Sequence, residues 1–188
     1  GMSMIATPPL DRSPVKTYVV PWGKEIIKDA IEREIERGGQ VYFVHNYVQT
    51  IDNVAYFIKF HLPRINLAIA HGQMPEAALE GTMVDFMAKK YDILVCTSII
   101  ESGLDIPSVN TIIIDHAERF GLADLYQLRG RVGRGPIKAY AYLLYHEKEL
   151  DETSVERLSA IKEFSALGSG YKLCLLYTSD AADEEDSV

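Results

Sequence analysis

The chain has 188 residues, is 47% hydrophobic and carries a net charge of −8. That apolar content supports a sizeable buried core in one domain, and the charge argues against a general electrostatic grip on nucleic acid. Apolar runs of about five residues are too short to span a bilayer, and no basic start precedes an apolar stretch, so no signal peptide or membrane partner is expected. Two cysteines make no disulfide framework, which fits a reduced, cytoplasmic protein. Cys96, inside "ILVC", reads as core. The five histidines are scattered without ligand spacing, so no metal site is expected. The last nine residues, "DAADEEDSV", hold five acids and no base, and without them the net charge falls to −3. Nucleic-acid contact would then be local, built from a few amides, hydroxyls and cations.

In chain order, the proline-rich first residues read as an extended lead-in, and "VKTYVV" (15–20) as a β-branched strand. Ile26, Ile27, Ala30, Ile31 and Ile35 give a helical stripe over 24–37, stopped by Gly38 and Gly39. "VYFVH" (41–45) is a strand, and Val48, Ile51, Val54, Ala55 and Ile58 mark a helix over 48–61. "NLAIAH" (66–71) is a strand; Pro75 opens a helix with Leu79, Met83 and Phe86 inward. "DILVC" (92–96) and "TIIID" (111–115) are continuous apolar strands, as expected when both sheet faces are covered. A helix from about Leu122 precedes the strand "AYAYLLY" (139–145). "DETSVERLSAIKEFSAL" (151–167) is a closing helix with Val155, Leu158, Ile161 and Phe164 inward. Strand and helix alternate without internal repeat, which predicts an α/β fold with a mostly parallel sheet between two helical layers. Ligands in such sheets sit beyond the strands' carboxyl ends: after His45, at His71 and Gly72, from Thr97, and after Asp115.

"QLRGRVGR" (127–134) holds three of the nine arginines in eight residues. If it is helical, at about 100° per residue, Gln127, Arg131 and Arg134 share one face and Arg129 points away. Guanidinium forks at this spacing suit phosphate oxygens; a solvated basic helix end closed by Gly135 and Pro136 is the plain alternative. "CTSIIESGLDIP" (96–107) leaves a buried strand. Thr97 and Ser98 place hydroxyls and amides there for a backbone phosphate. Gly103 permits close approach, and Asp105 could accept from ribose hydroxyls; an ordinary strand-to-helix turn with Thr97 and Asp105 as caps explains the same residues. "HGQM" (71–74) carries less, since a glycine after a strand is expected for the turn alone. There is no G-x-x-x-x-G-K-[ST] and no strand ending in paired acids for Mg²⁺. Arginines without cradle or metal set look like half of a composite phosphate site.

"TSIIESGLDIP" followed by "QLRGRVGR" resembles motifs V and VI of superfamily-two helicases and translocases. The wider text, including "TPPLDRSPVKTYV", "GGQVYFVHN", "AHGQMPEAALEGTMVDF", "RFGLADLYQLRGRVGRG" and "SAIKEFSALGSGYK", resembles the bacterial transcription-repair coupling factors over about residues 2–173. The fork-remodelling RecG-type helicases are the alternative family, and a non-catalytic DNA-binding module the alternative from another class. The resemblance implies the second of two RecA-like motor domains (15–150), with a three-layer α/β/α architecture. Residues 1–14 would lead in from the first motor domain, 151–173 would begin the helical element coupling ATP use to translocation, and 174–188, "CLLYTSDAADEEDSV", read as a disordered tail foreign to the family.

It also implies an ATP-dependent double-stranded DNA translocase that displaces stalled RNA polymerase. ATP with Mg²⁺ would be held mainly by the first domain of the same chain. RNA polymerase and nucleotide excision repair proteins would be engaged through other modules, and the protein would act as a monomer. Carried over by position, Arg131 and Arg134 would reach the γ-phosphate, and Gln127 would shape the cleft. Gly103 and Asp105 would face the nucleotide, with Asp105 towards the ribose. Thr97, Ser98, His71 and Gly72 would line the nucleic-acid track. Arg129 would keep a structural or surface role.

Overall fold

The computed structural model describes residues 14–98 and 105–169. The lead-in up to residue 13, Gly103 and the segment from 170 onward lie outside the described residues. Six strands form one sheet: β1 (Val15–Pro21), β2 (Gln40–Val44), β3 (Leu67–Ala70), β4 (Ile93–Cys96), β5 (Val109–Ile114) and β6 (Ala139–Tyr145). Their order is β1-β6-β5-β2-β4-β3 and every pairing is parallel. All carboxyl ends therefore open on one edge, and β2 lies between strands reached in opposite directions, the position where α/β sheets leave a crevice.

Helices α1 (Lys24–Glu36) and α2 (Ile51–His61) cover one face; α3 (Glu76–Met87), α4 (Leu122–Arg129) and α5 (Glu152–Ser169) cover the other. The strand alternation sorts the core accordingly. Val41, Phe43, Val95 and Ile113 pack with Ile27, Ile31, Ile51 and Ile58. Tyr42, Val44, Leu94, Ile112 and Ile114 pack with Phe86, Leu125, Leu128, Leu158 and Ile161. Each fully buried aliphatic side chain contributes about 1.5–3 kcal/mol, so the two layers fix the register of every strand between them. A polar tie pins α1 to this core. Buried Glu34 takes both Nε (2.9 Å) and a terminal nitrogen (2.7 Å) of Arg37, and its carboxylate also accepts from Thr111 Oγ1.

The elements fall where the apolar pattern puts them, with two instructive differences. Helix α2 starts at Ile51 rather than Val48, because residues 46–50 turn: Thr50 N–H donates to Tyr47 O at 3.2 Å and the Thr50 hydroxyl meets His45 Nε2 at 2.7 Å. Helix α4 stops at Arg129 with Gly130 as its cap, so the arginine motif is helical only in its first three residues. The face argument that groups Gln127 with Arg131 and Arg134 by helical turn therefore ends at Gly130.

Candidate functional site

Beyond the carboxyl ends of the central strands, loop residues from four elements converge. Asn46 follows β2, Ser98 follows β4, Arg119 lies in the 3₁₀ turn Ala117–Arg119 after β5, and Gln127 and Arg131 come from α4 and its cap. Together with Phe120, Asp124 and Leu128 they line a pocket of about 170 Å³. Asn46 Oδ1 accepts from Ser98 N–H (3.1 Å) and Oγ–H (3.0 Å), which fixes the first turn after β4 against the β2 loop. The lining is mostly polar, with two guanidinium groups against one carboxylate, so it suits an oxyanion.

After α4 the chain folds back on itself. Gly133 has φ of 79°, a left-handed conformation natural to glycine. The reversal sets Arg134 Nε on Gly130 O at 3.0 Å and leaves its NH1 3.1 Å from Asp105 Oδ1. Two residues from separate motifs, 29 positions apart in the numbering, are thereby in contact through side chains that both reach solvent, one-third and more than half exposed. Arg129 takes the opposite course. Its NH1 donates to Thr17 Oγ1 on β1 at 3.2 Å, its guanidinium lies 5.0 Å from the Tyr126 ring, and burial lowers its pKa. Arg129 thus ties α4 to the sheet, as expected for a residue facing away from the site.

A second cluster occupies the same edge. Asp115, buried at the end of β5, accepts from His45 Nδ1 (2.8 Å), His146 Nε2 (3.0 Å) and the backbone N–H of His116 (2.9 Å). Burial alone would raise its pKa, but the hydrogen bonds from His45 and His146 outweigh it and hold the carboxyl below its ordinary value. An ionised carboxylate only accepts, so His45 donates to it from Nδ1, while its Nε2 is hydrogen-bonded with the Thr50 hydroxyl. His116 Nδ1 pairs with Glu118 Oε2 at 3.0 Å, and the His116 and His146 rings stack at 3.8 Å. Arg119, beside them, donates to Tyr47 Oη (2.8 Å) and to Glu149. The expectation that the histidines are scattered is corrected here: three of the five, distant in sequence, meet because each stands at or next to a strand's carboxyl end, in a sheet whose order brings β2, β5 and β6 side by side.

Of the residues singled out from sequence, the fold brings Arg134 and Asp105 into contact and sets Gln127, Arg131 and Ser98 around one pocket. Thr97 is 4% exposed, and its hydroxyl has no hydrogen-bond partner among the described residues. His71 and Gly72 stand apart, after edge strand β3, where His71 Nδ1 accepts from Gln73 N–H at 3.1 Å. Asn46 and Arg119 were not anticipated. Asn46 was in reach of the carboxyl-end rule, since it directly follows the strand residue His45; Arg119 carries no signal of its own outside the fold.

The sequence matches the helicase conserved C-terminal domain over residues 23–136. It is 52% identical over 175 residues to the transcription-repair-coupling factor of Staphylococcus epidermidis, covering 93% of this chain and 15% of that protein. Identity to the Staphylococcus aureus (strain USA300) counterpart is 51%, with the same coverage. The chain therefore spans about a seventh of the length of these curated relatives (15%). Among solved structures, RecG bound to a three-way DNA junction matches with a TM-score of 0.68 and 34% identity, over 86% of this chain and 21% of that one. The C-terminal domain of the DEAD-box protein Dbp5 shares the fold, with a TM-score of 0.58 at 20% identity over 86% of this chain and 89% of that one. The six-stranded parallel sheet is the RecA-like architecture of these helicase C-terminal domains. Among the described residues no helix is long and apolar enough to cross a membrane.

Proposed function

Because the chain belongs to the helicase conserved C-terminal domain family, we propose that it is the second motor domain of an ATP-dependent double-stranded DNA translocase of the transcription-repair coupling type. The observation that supports this most directly is the joining of Asp105 to Arg134, three residues after Arg131, which with Gln127 lines the polar pocket. A guanidinium held by a solvent-facing carboxylate is placed yet exchangeable. A phosphate oxygen competes for the same fork, and the freed carboxylate can accept from a ribose hydroxyl. The donor set fits the phosphate end of a nucleotide. It does not fit Mg²⁺, since the carboxylates at hand, Asp105 and Asp124, stand beside arginines. In this reading ATP, held mainly by a preceding domain with Mg²⁺, supplies the phosphoryl group. Arg134 and Arg131 stabilise charge on it, Gln127 shapes the cleft wall, and Asp105 orients the ribose, with Gly103 in the same motif. Thr97 and Ser98, with His71 and Gly72 further along the edge, serve the nucleic-acid side. Displacement of RNA polymerase and recruitment of repair proteins would fall to other parts of the polypeptide.

Identity of 52% to coupling factors, against 34% to RecG, favours the coupling reading over fork remodelling. The test is single-turnover ATP hydrolysis by the complete protein. Arg134→Ala should lower the rate about 10³-fold or more while nucleotide affinity stays within a few-fold, because arginine fingers act mainly on transition-state charge. Arg134→Lys should restore little, since an ammonium lacks the fork. An unchanged rate in Arg134→Ala would sink the reading and leave a non-catalytic DNA-binding module.

A further inference from the structure

Asp115, His116 and His146 offer one ligand atom each, and these three atoms lie within 4.8 Å of one another. We infer that they form a binding site for a borderline divalent transition-metal ion of the Zn²⁺ class, at the carboxyl ends of β5 and β6. Asp115 Oδ1 and His146 Nε2 are 3.0 Å apart. Two ligands on a tetrahedral ion with bonds of 2.0–2.1 Å stand about 3.3 Å apart, so this pair is already close to chelating distance. The third ligand is prepared by its neighbour. Glu118 Oε2 lies 3.0 Å from His116 Nδ1, and a carboxylate there accepts the Nδ1–H hydrogen bond, which keeps the hydrogen on Nδ1 and leaves Nε2 as the ligand atom. His45 does the same for the carboxylate, holding Oδ2 at 2.8 Å and leaving Oδ1 for the ion.

The surroundings agree. Asp115 is buried, while His116 and His146 are partly exposed (19% and 30%), so an ion can enter and keep water on its remaining position. The rings stack at 3.8 Å with planes 15° apart. On binding, the metal takes the place of the Nε2 hydrogen of His146, and the neutral ring carries its hydrogen on Nδ1 instead. Two imidazoles and one carboxylate suit Zn²⁺, Co²⁺ or Ni²⁺ and not Mg²⁺. The site is thus chemically separate from any Mg²⁺-nucleotide centre and stands whether or not the motor reading does.

The molecule carries its own reporter. Trp22, the single tryptophan, stacks 6.1 Å from His146. Titrating the 188-residue chain with Co²⁺ should quench its tryptophan fluorescence to saturation, and calorimetry with Zn²⁺ should give one ion per chain. His146→Ala and His116→Asn should each weaken binding about tenfold or more. His116→Asn is the cleaner variant, because His116 has φ of 54° and asparagine tolerates that conformation. His61→Ala should leave Zn²⁺ binding unchanged. Quenching that is linear in Co²⁺, Zn²⁺ binding undiminished in the folded His116→Asn and His146→Ala variants, or binding lost in His61→Ala would each overturn the site.

Discussion

Thr97 and Arg129 show two opposite uses of a polar group drawn into the interior. Thr97 buries a hydroxyl without a partner among the described residues, which costs roughly 1–3 kcal/mol unless a ligand or neighbour takes it. Thr97→Val keeps the shape and removes the hydroxyl. If the hydroxyl serves nucleic acid, this variant should melt no lower than wild type and should lose DNA-stimulated ATPase in the complete protein while keeping basal ATPase. Lower stability with both activities reduced alike would make Thr97 a fold residue. Arg129 is the opposite case. It gives its charge to Thr17 on β1, itself fully buried, and to the Tyr126 ring. Arg129→Ala should cost about 1–2 kcal/mol, seen as a melting temperature roughly 2–8 °C lower, with single-turnover hydrolysis in the complete protein within a few-fold of wild type. A loss as deep as that of Arg134→Ala would mean that all three arginines converge on substrate.

At the scale of elements, the sheet and its helices were legible because apolar runs of four to seven residues and stripes at helical spacing both feed one core. What escaped was the turn after α4. A run such as "RGRVGR" reads as helix continuing or helix ending with equal ease, and the outcome rests on Gly130 as cap and on the positive φ of Gly133. That reversal, not a helical face, is what brings Arg134 to Asp105. Gly133→Ala places a Cβ in a left-handed conformation on a buried residue, at a cost of about 1–2 kcal/mol. It should lower the melting temperature by roughly 2–8 °C and, in the complete protein, reduce hydrolysis by displacing Arg134. Gly133→Asn should recover part of both, since asparagine adopts this conformation more readily; equal damage from the two would point to lost space rather than backbone. Helix α5 needs no such device. Asp151 Oδ1 accepts from Ser154 N–H at 2.8 Å and Asp151 N–H donates to Ser154 Oγ at 2.9 Å, a reciprocal cap readable from the sequence spacing alone. Arg157 then donates to the carbonyls of Phe120 (2.9 Å) and Glu118 (2.7 Å), fixing α5 to the turn that enters α4.

Across the whole molecule, the parallel sheet gathers chemistry from every strand onto one edge, so contacts such as Arg134 with Asp105, or His45 and His146 with Asp115, follow from strand order rather than from sequence distance. Strand order was the part of the fold that pattern alone left open, and for that reason the arginine motif could be read from sequence while the histidine cluster could not. The groups on this edge decide what the chain does by itself. It offers guanidinium forks, one solvent-facing carboxylate and a polar pocket of about 170 Å³. The sequence holds no G-x-x-x-x-G-K-[ST], the run that supplies a backbone cradle and a lysine for β- and γ-phosphates, and positioning by those parts accounts for most phosphoryl-transfer catalysis. The 188-residue chain alone should therefore show no ATP turnover above background in a steady-state assay. Adding a separately produced preceding motor domain at high concentration should restore some hydrolysis, and Arg134→Ala in this chain should abolish that gain. Turnover by the chain alone that disappears in its own Arg134→Ala variant would show that this edge is a complete catalytic site and not half of one.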